Sequence, residues 1–235
     1  MGAARLRRDR GARAARGGAL VLRPRAPLER LPAHPADPHV TRLVLLRHGR
    51  TEWNAAGRYQ GHEDVDLSEE GLAQAQSVAP AIAAMSPVAL WSSDLSRAAT
   101  TAAHVGEACG LPVTTDPRLR ERHVGVFGGM TAEQIRASHP AEAGEFFAGA
   151  GPLDTESERE VEGRMTEALQ DLGRIVGAHG TVVAISHGWA IRMAVTSLVG
   201  ASPTALHGLD NCGWAELVHR GDRWSLLAWN RVATS

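Results

Sequence analysis

Lysine is absent from this chain, and all 25 basic residues are arginine. With 25 glycines and abundant alanine, that bias reads as the mark of a GC-rich genome and carries little chemistry. Cysteine is scarce. Cys109 and Cys212 lie far apart, which excludes metal-ligand or redox spacing and fits two buried thiols in a reducing cytoplasm. Aromatic residues make up only 4%, and the six tryptophans are expected in the core or in a C-terminal hairpin. No apolar run approaches the roughly 18 residues of a membrane span. A secretory signal fits poorly too, because the best early apolar stretch, Ala19 to Leu22, is short and runs into Arg23. Arg7-Arg8 lacks the apolar segment that a twin-Arg signal needs. The expected location is the cytoplasm.

The formal net charge of −1 hides an asymmetry. Residues 1–39 hold nine Arg against Asp9, Glu29 and Asp37, a balance of +6. The remaining 16 Arg face 23 acids, a balance of −7, which argues against a nucleic-acid-binding body. The 1–39 segment is rich in Arg and Pro and has no apolar periodicity, so it is expected to be a disordered tail ahead of one domain over residues 40–235. A solvated tail, or a start-site artefact with the chain proper beginning near Val40, is preferred over a basic arm that touches nucleic acid or membrane.

Four consecutive aliphatics, Leu43 to Leu46, end abruptly in Arg47-His48-Gly49. This reads as a short buried strand that delivers two cationic side chains to its C-terminal tip, with Gly49 allowing a sharp turn. Glu52 to Asp66 read as a polar loop. Ser68 caps an amphipathic helix over about Glu69–Ala84, with Leu72, Ala75, Val78, Ala79 and Ile82 on its apolar face. Pro87–Trp91 is a second buried strand, completing a βαβ unit with a parallel pair. Asp94 is placed to cap a helix over Leu95–Glu107 that carries Arg97 in its first turn. Val113-Thr114 are a short strand, and Glu121 sits on a loop. Residues 131–148 read as short helices broken at Pro140 and Gly144. A capping box, Ser157 with Glu160, opens a long helix to about Val176. Thr181–Ile185 form another buried strand, ending in Ser186-His187-Gly188 before a helix over Trp189–Val199. Gly213–Val218 and Arg223–Trp229 alternate about Arg220-Gly221-Asp222, a hairpin that would extend the sheet. The fold class is therefore α/β, three-layer α/β/α, with a mostly parallel mixed sheet.

Two strands ending in His-Gly, an Arg opening a helix after a third, and one loop carboxylate together suit phosphomonoester cleavage. That reaction needs cations around the equatorial oxygens, an in-line nucleophile and an acid for the leaving alkoxide. His48 can attack through one neutral ring nitrogen, provided the other holds its proton on a fixed acceptor. Arg47 and Arg97 can neutralise the transferring group, and His187 can donate from the opposite side. The helix N-terminus after Gly188 can add its dipole. Glu121 is the one chemically reasonable acid on a loop of its own.

These segments resemble the histidine phosphatase superfamily, the family of cofactor-dependent phosphoglycerate mutases and their phosphatase relatives. The resemblance rests on Leu46-Arg47-His48-Gly49-Arg50-Thr51-Glu52-Trp53-Asn54, on Ser92-Ser93-Asp94-Leu95-Ser96-Arg97, on Leu119-Arg120-Glu121 with Gly125, on Glu156-Ser157 and on Ser186-His187-Gly188, in the family's order. It implies a phosphoglycerate mutase-like fold and a phosphohistidine on His48. Arg47, Arg97 and His187 would form the phosphate pocket, and Glu121 would be the proton donor and acceptor. Thr51, Asn54, Gln60 and Gly61 match positions on the substrate side. Asn54 and Gln60 are also readable as ties within the loop, and Thr51 as a cap for the next turn. No metal and no cofactor is implied. His62, His104, His123, His139, His179, His207 and His219 show no ligand spacing, and of these only His123 lies near enough to Glu121 to touch substrate.

Family mutases carry a long basic insertion after the Glu motif, whereas Arg122 to Thr155 is short and holds just Arg122 and Arg136. The resemblance therefore favours a phosphatase acting on a small phosphate ester over a mutase. A non-enzymatic sensor or scaffold on the same fold is disfavoured by the presence of both His48 and His187. Asn211, Trp214-Ala215-Glu216-Leu217 and Trp229-Asn230 are similar to the actinobacterial glucosyl-3-phosphoglycerate phosphatases within this family. Phe127-Gly128-Gly129 and Asp154-Thr155 depart from the family pattern at the expected pocket rim, which leaves the substrate open. A homodimer is compatible with the sequence.

Overall fold

The computed structural model describes residues 41–176, 180–220 and 223–233. The expectation of disorder for 1–39 lies outside these residues, as do His179 and the hairpin tip at Gly221 and Asp222.

Strand β1 (Thr41–Arg47) leads into a short helix, α1 (Glu52–Ala55), then α2 (Glu69–Ala83), β2 (Pro87–Ser92), α3 (Ser96–Cys109) and β3 (Val113–Thr115). Two short helices, α4 (Ala132–Ser138) and α5 (Ala143–Phe147), precede the long α6 (Glu158–Val176). Then come β4 (Gly180–Ser186), α7 (Gly188–Val199) and the pair β5 (Trp214–Arg220) and β6 (Arg223–Arg231). The sheet order is β3-β2-β4-β1-β5-β6. The four strands from β3 to β1 run parallel, and β5 pairs antiparallel with both β1 and β6, giving the expected mixed sheet.

The three layers follow from the two-residue period of the central strands. Leu43 and Leu45 of β1, with Val182 and Ala184 of β4, face Val161, Met165, Leu169, Leu172 and Ile191 of α6 and α7. Val44 and Leu46, with Val183 and Ile185, face Ala75, Val78, Ile82, Ala98 and Val105 of α2 and α3. Each fully buried aliphatic contributes about 1.5–3 kcal/mol, so this two-sided burial fixes the register of β1 against β4.

Several local expectations are revised. The first and second strands are not neighbours, because β4 lies between them and pairs with both. β2 is buried at Leu90 and Ser92 but leaves Val88 55% exposed, since only the short β3 lies beyond it. The polar loop expected over Glu52 to Asp66 begins instead as α1, which has no apolar periodicity to announce it. Leu72 is 37% exposed and off the buried face of α2. Asp94 does not cap α3; its carboxylate pairs with Arg120, and Asp64 Oδ1 accepts from Ser96 N (2.7 Å) in its stead. Gly144 lies inside α5 rather than breaking it, and Cys109 is half-buried. Gly49 has no positive φ and is needed for close approach, because a Cβ there would meet Gly71 O at 2.4 Å.

Candidate active site

The insertion of β4 between β1 and β2 sets the site. Parallel strands in register set Arg47 opposite Ser186 and Ser92 opposite Ile185, so the C-terminal ends of β1, β4 and β2 lie side by side, where open α/β sheets bind ligands. His48 N donates to Ser186 O (3.0 Å) and Ser93 N to Ile185 O (2.9 Å). His48 and His187 thereby leave adjacent strand tips with their ring centroids 5.0 Å apart. Both are buried.

The ring tautomers follow from their partners. His48 Nδ1 lies 2.6 Å from Gly49 O, which can only accept, so Nδ1 holds the proton and Nε2 keeps a free lone pair. This supplies the fixed acceptor that the chemistry of a nucleophilic histidine requires. His187 Nε2 shares a 2.9 Å hydrogen bond with Ser93 Oγ, which itself accepts from Leu95 N (3.3 Å). The network is satisfied when Ser93 donates to Nε2, which leaves the His187 proton on Nδ1, a buried atom with no partner. Burial, with added repulsion from Arg47 and Arg97, holds His48 well below the ordinary imidazole value. Burial, Arg97 and His48 do the same to His187. Both rings are neutral at pH 7.

Arg97 is fully buried in the first turn of α3. Its two terminal nitrogens donate to Glu63 O (2.7 Å) and Gly61 O (2.8 Å), which leaves Nε without a partner. Burial brings its pKa down to about 10, still cationic at neutral pH. Arg47 donates one terminal nitrogen to Leu209 O, and its Nε too is unpartnered. Gly188 packs against this guanidinium, where a Cβ would sit 3.2 Å from Arg47 Nε. Gly61 has a positive φ of 52°, and a Cβ would meet Val124 Cγ2 at 2.4 Å, so glycine is required there.

Glu121 arrives from the loop after a short helical turn at Pro117–Leu119. Its carboxylate accepts from the backbone N–H groups of Arg122 (2.9 Å), Trp189 (3.2 Å) and Ala190 (3.0 Å), the last two in the first turn of α7. A cavity of about 180 Å³ is lined by Arg47, His48, Asn54, Gln60, Gly61, Arg97 and Glu121 together with residues the sequence had not pointed to. His187 and Gly188 lie just behind that lining. Thr51 is buried away from the cavity: it caps α1, with Asn54 N donating to its Oγ1 (3.1 Å), and it donates to Gln60 Oε1 (3.1 Å). Asn54 and Gln60 therefore tie the loop together and face the cavity at once. His123 does not line the cavity, whereas His62, which shows no ligand spacing in the sequence, reaches the carbonyl of Glu121 (2.8 Å).

The residues that sequence reasoning missed are Arg58, Tyr59, Arg122, Val124, Phe146 and Trp189 on the cavity wall, Ser93 against His187, and Asn211. Arg122 and Ser93 flank recognised positions and carried that signal. The guanidinium of Arg122 stacks on the rings of both Phe146 and Trp189 (4.5 and 5.0 Å), a contact no local pattern announces. Asn211 donates to His48 O (3.1 Å) and to Asn54 Oδ1 (3.2 Å), bracing the strand tip from 163 residues away. Among the described residues no group of three or more His, Cys, Asp or Glu side chains is close enough to hold a metal ion.

Paired imidazoles at adjacent strand tips, with the guanidinium groups of Arg47 and Arg97 beside them, define an enzyme of the phosphoglycerate mutase-like fold that handles phosphate esters. The family model of the histidine phosphatase superfamily (branch 1) matches residues 43–232. A glucosyl-3-phosphoglycerate phosphatase from Mycolicibacterium vanbaalenii is 36% identical over 216 residues, covering 83% of this chain and 96% of that protein. A metal-independent phosphoserine phosphatase from Arabidopsis thaliana is 33% identical, over 84% of each chain. Among solved structures, a mycobacterial glucosyl-3-phosphoglycerate phosphatase in complex with VO3 superposes with a TM-score of 0.74 at 35% identity, over 80% of this chain and 98% of that one. The chain belongs to the histidine phosphatase superfamily, and its enzymatic class is phosphatase.

Proposed function

We propose that this protein hydrolyses a small phosphate monoester through a phosphohistidine on His48, and that glucosyl-3-phosphoglycerate is the candidate substrate. The observation that carries the reading is the set of unpartnered buried nitrogens, Arg47 Nε, Arg97 Nε and His187 Nδ1, gathered beside His48. Buried donors without acceptors cost about 1–3 kcal/mol each, a cost a bound phosphoryl group would relieve. His48 Nε2 attacks phosphorus; the N–P bond forms as the P–O bond to the ester breaks. Arg47, Arg97 and His187 hold the equatorial oxygens, and Glu121 hands a proton to the leaving alkoxide. Water then attacks the phosphohistidine with its proton passing to Glu121, the N–P bond breaks and inorganic phosphate leaves.

The substrate reading rests on relatives that carry that name at 36% identity, and on the cavity wall. Arg58 and Arg122 add cations beyond the phosphate pocket, while Tyr59, Phe146 and Trp189 add ring faces, a lining suited to an acidic ester bearing a sugar. The test is a phosphate-ester screen that includes glucosyl-3-phosphoglycerate and 3-phosphoglycerate, with mutase turnover assayed in parallel. Hydrolysis unaffected by EDTA and reduced about 10³-fold or more in His48→Ala is expected. Undiminished turnover in that variant, or dependence on a divalent ion, would overturn the mechanism. Mutase turnover above hydrolysis would make the chain a mutase.

A further inference from the structure

A proton donor works only if it is held in place, and the backbone of Glu121 is held by a side chain outside the cavity. Arg164, on the second turn of α6, donates to three carbonyls of the Glu121 loop: Nη1 to Arg118 O (2.9 Å) and Arg120 O (2.7 Å), and Nη2 to Glu121 O (2.8 Å). The same guanidinium forms a two-pronged pair with Glu156, Nε to Oε1 and Nη2 to Oε2, both at 2.7 Å. Glu156 Oε2 in turn accepts from His123 N (2.7 Å). One ion pair thus grips the main chain on both sides of Glu121. The second lone pair of Glu121 O is taken by His62 Nε2 (2.8 Å). Both partners are largely shielded, with side-chain exposures of 17% for Arg164 and 21% for Glu156.

We propose that the Arg164–Glu156 pair is the positioning device for Glu121, an inference that rests on Glu121 being the proton donor. Neither residue lines the cavity, so neither is placed to touch substrate. The division of labour is physical. The carboxylate of Glu121 is oriented by N–H groups of α7, while the position of its Cα relative to His48 is set from α6 through Arg164. The fork matters: its five N–H donors in one plane serve three carbonyls and two carboxylate oxygens, a pattern a lysine ammonium with three donors cannot reproduce. A displacement of about 1 Å at a catalytic group can cost on the order of 10²-fold in rate.

The reading separates from simple loss of fold by the leaving group. An alkyl phosphate needs a proton delivered as its P–O bond breaks, whereas an aryl phosphate with a good leaving group needs far less help. A misplaced Glu121 therefore lowers the alkyl rate selectively, while a smaller folded fraction lowers both rates equally. Turnover of an alkyl phosphate and of p-nitrophenyl phosphate is measured for the full-length protein and for Glu121→Gln, Arg164→Lys and Glu156→Gln. We expect Glu121→Gln to set the largest alkyl-to-aryl selectivity loss. Arg164→Lys should follow it in direction, losing about tenfold or more on the alkyl ester and within about threefold on the aryl ester. The near-isosteric Glu156→Gln should show the same bias at smaller size. If Glu121→Gln is selective and neither other variant is, the positioning proposal is overturned. If Glu121→Gln itself loses both activities equally, the assignment of Glu121 as the acid fails first. Should Arg164→Lys fold poorly, the ratio in Glu156→Gln decides.

Discussion

His48 is neutral because three separate features disfavour its proton. Burial is the largest, and the guanidinium groups of Arg47 and Arg97 add repulsion; only the hydrogen bond to Gly49 O pulls the other way. The consequence can be read on the free protein. Histidine NMR should show His48 titrating well below pH 6.5, and Arg97→Gln should move it upward, though short of the ordinary value because burial remains. A His48 titration at or above 6.5 in the native protein would contradict this electrostatic account. The sign for stability follows from linkage. His48 and His187 both have folded-state pKa values below the unfolded value of about 6.5, so the unfolded chain takes up protons first as the pH falls. Their neutral burial is compatible with full stability above about pH 6.5 and costs progressively more below it. Urea midpoints should therefore decline as pH drops from 7 toward 5. A midpoint flat across that window would show that other groups compensate.

At the scale of elements, the junction between β1 and α2 decides where His48 sits. Gly49 and Gly71 are in backbone contact: a Cβ on Gly71 would lie 1.9 Å from Arg50 O, and one on Gly49 would lie 2.4 Å from Gly71 O. Nothing flexible can yield there. Gly71→Ala should cost on the order of 1–3 kcal/mol and displace the strand tip, lowering turnover as well as Tm. Gly163, exposed in the middle of α6, offers the control, since a Cβ there meets nothing within 4 Å. Gly163→Ala should gain about 0.5–1 kcal/mol and raise Tm by roughly 1–4 °C with activity unchanged. Calorimetry on the pair checks both signs, and equal effects would discard the contact argument. The same junction shows what a sequence can announce. β1, β4, α2 and the Ser157–Glu160 cap were legible because hydrophobic period and capping chemistry are local. The cap of α3 was not, because the acceptor for Ser96 N is Asp64, 32 residues upstream, rather than the adjacent Asp94. Nor was the contact of His187 with Ser93, which exists only because β4 inserts between β1 and β2. Arg164 was invisible for the same reason, since its carbonyl partners lie 43–46 residues away.

At the scale of the whole molecule, the chain divides by charge, with +6 over residues 1–39 and −7 over the rest. The acidic body holds two cations, the half-buried Arg47 and the fully buried Arg97, against one cavity at the C-terminal ends of the parallel strands, so in the proposed mechanism attraction for a phosphate ester is local to that cavity. The family match begins at residue 43, and Arg47 is the first residue of the sequence with a place in the proposed mechanism. We therefore expect the 1–39 segment to be dispensable for catalysis. A protein beginning at Val40 should retain kcat/KM for its phosphate ester within about twofold, because ~0.4 kcal/mol is the most that change represents. The salt dependence of KM should also be unchanged, since a basic arm that recruits an anionic substrate would steepen it. The truncated and full-length proteins should bind a random oligonucleotide equally poorly. A tenfold loss of kcat/KM on truncation would place part of residues 1–39 at the site. Loss of oligonucleotide binding with catalysis intact would instead give the basic segment a separate role in nucleic-acid contact.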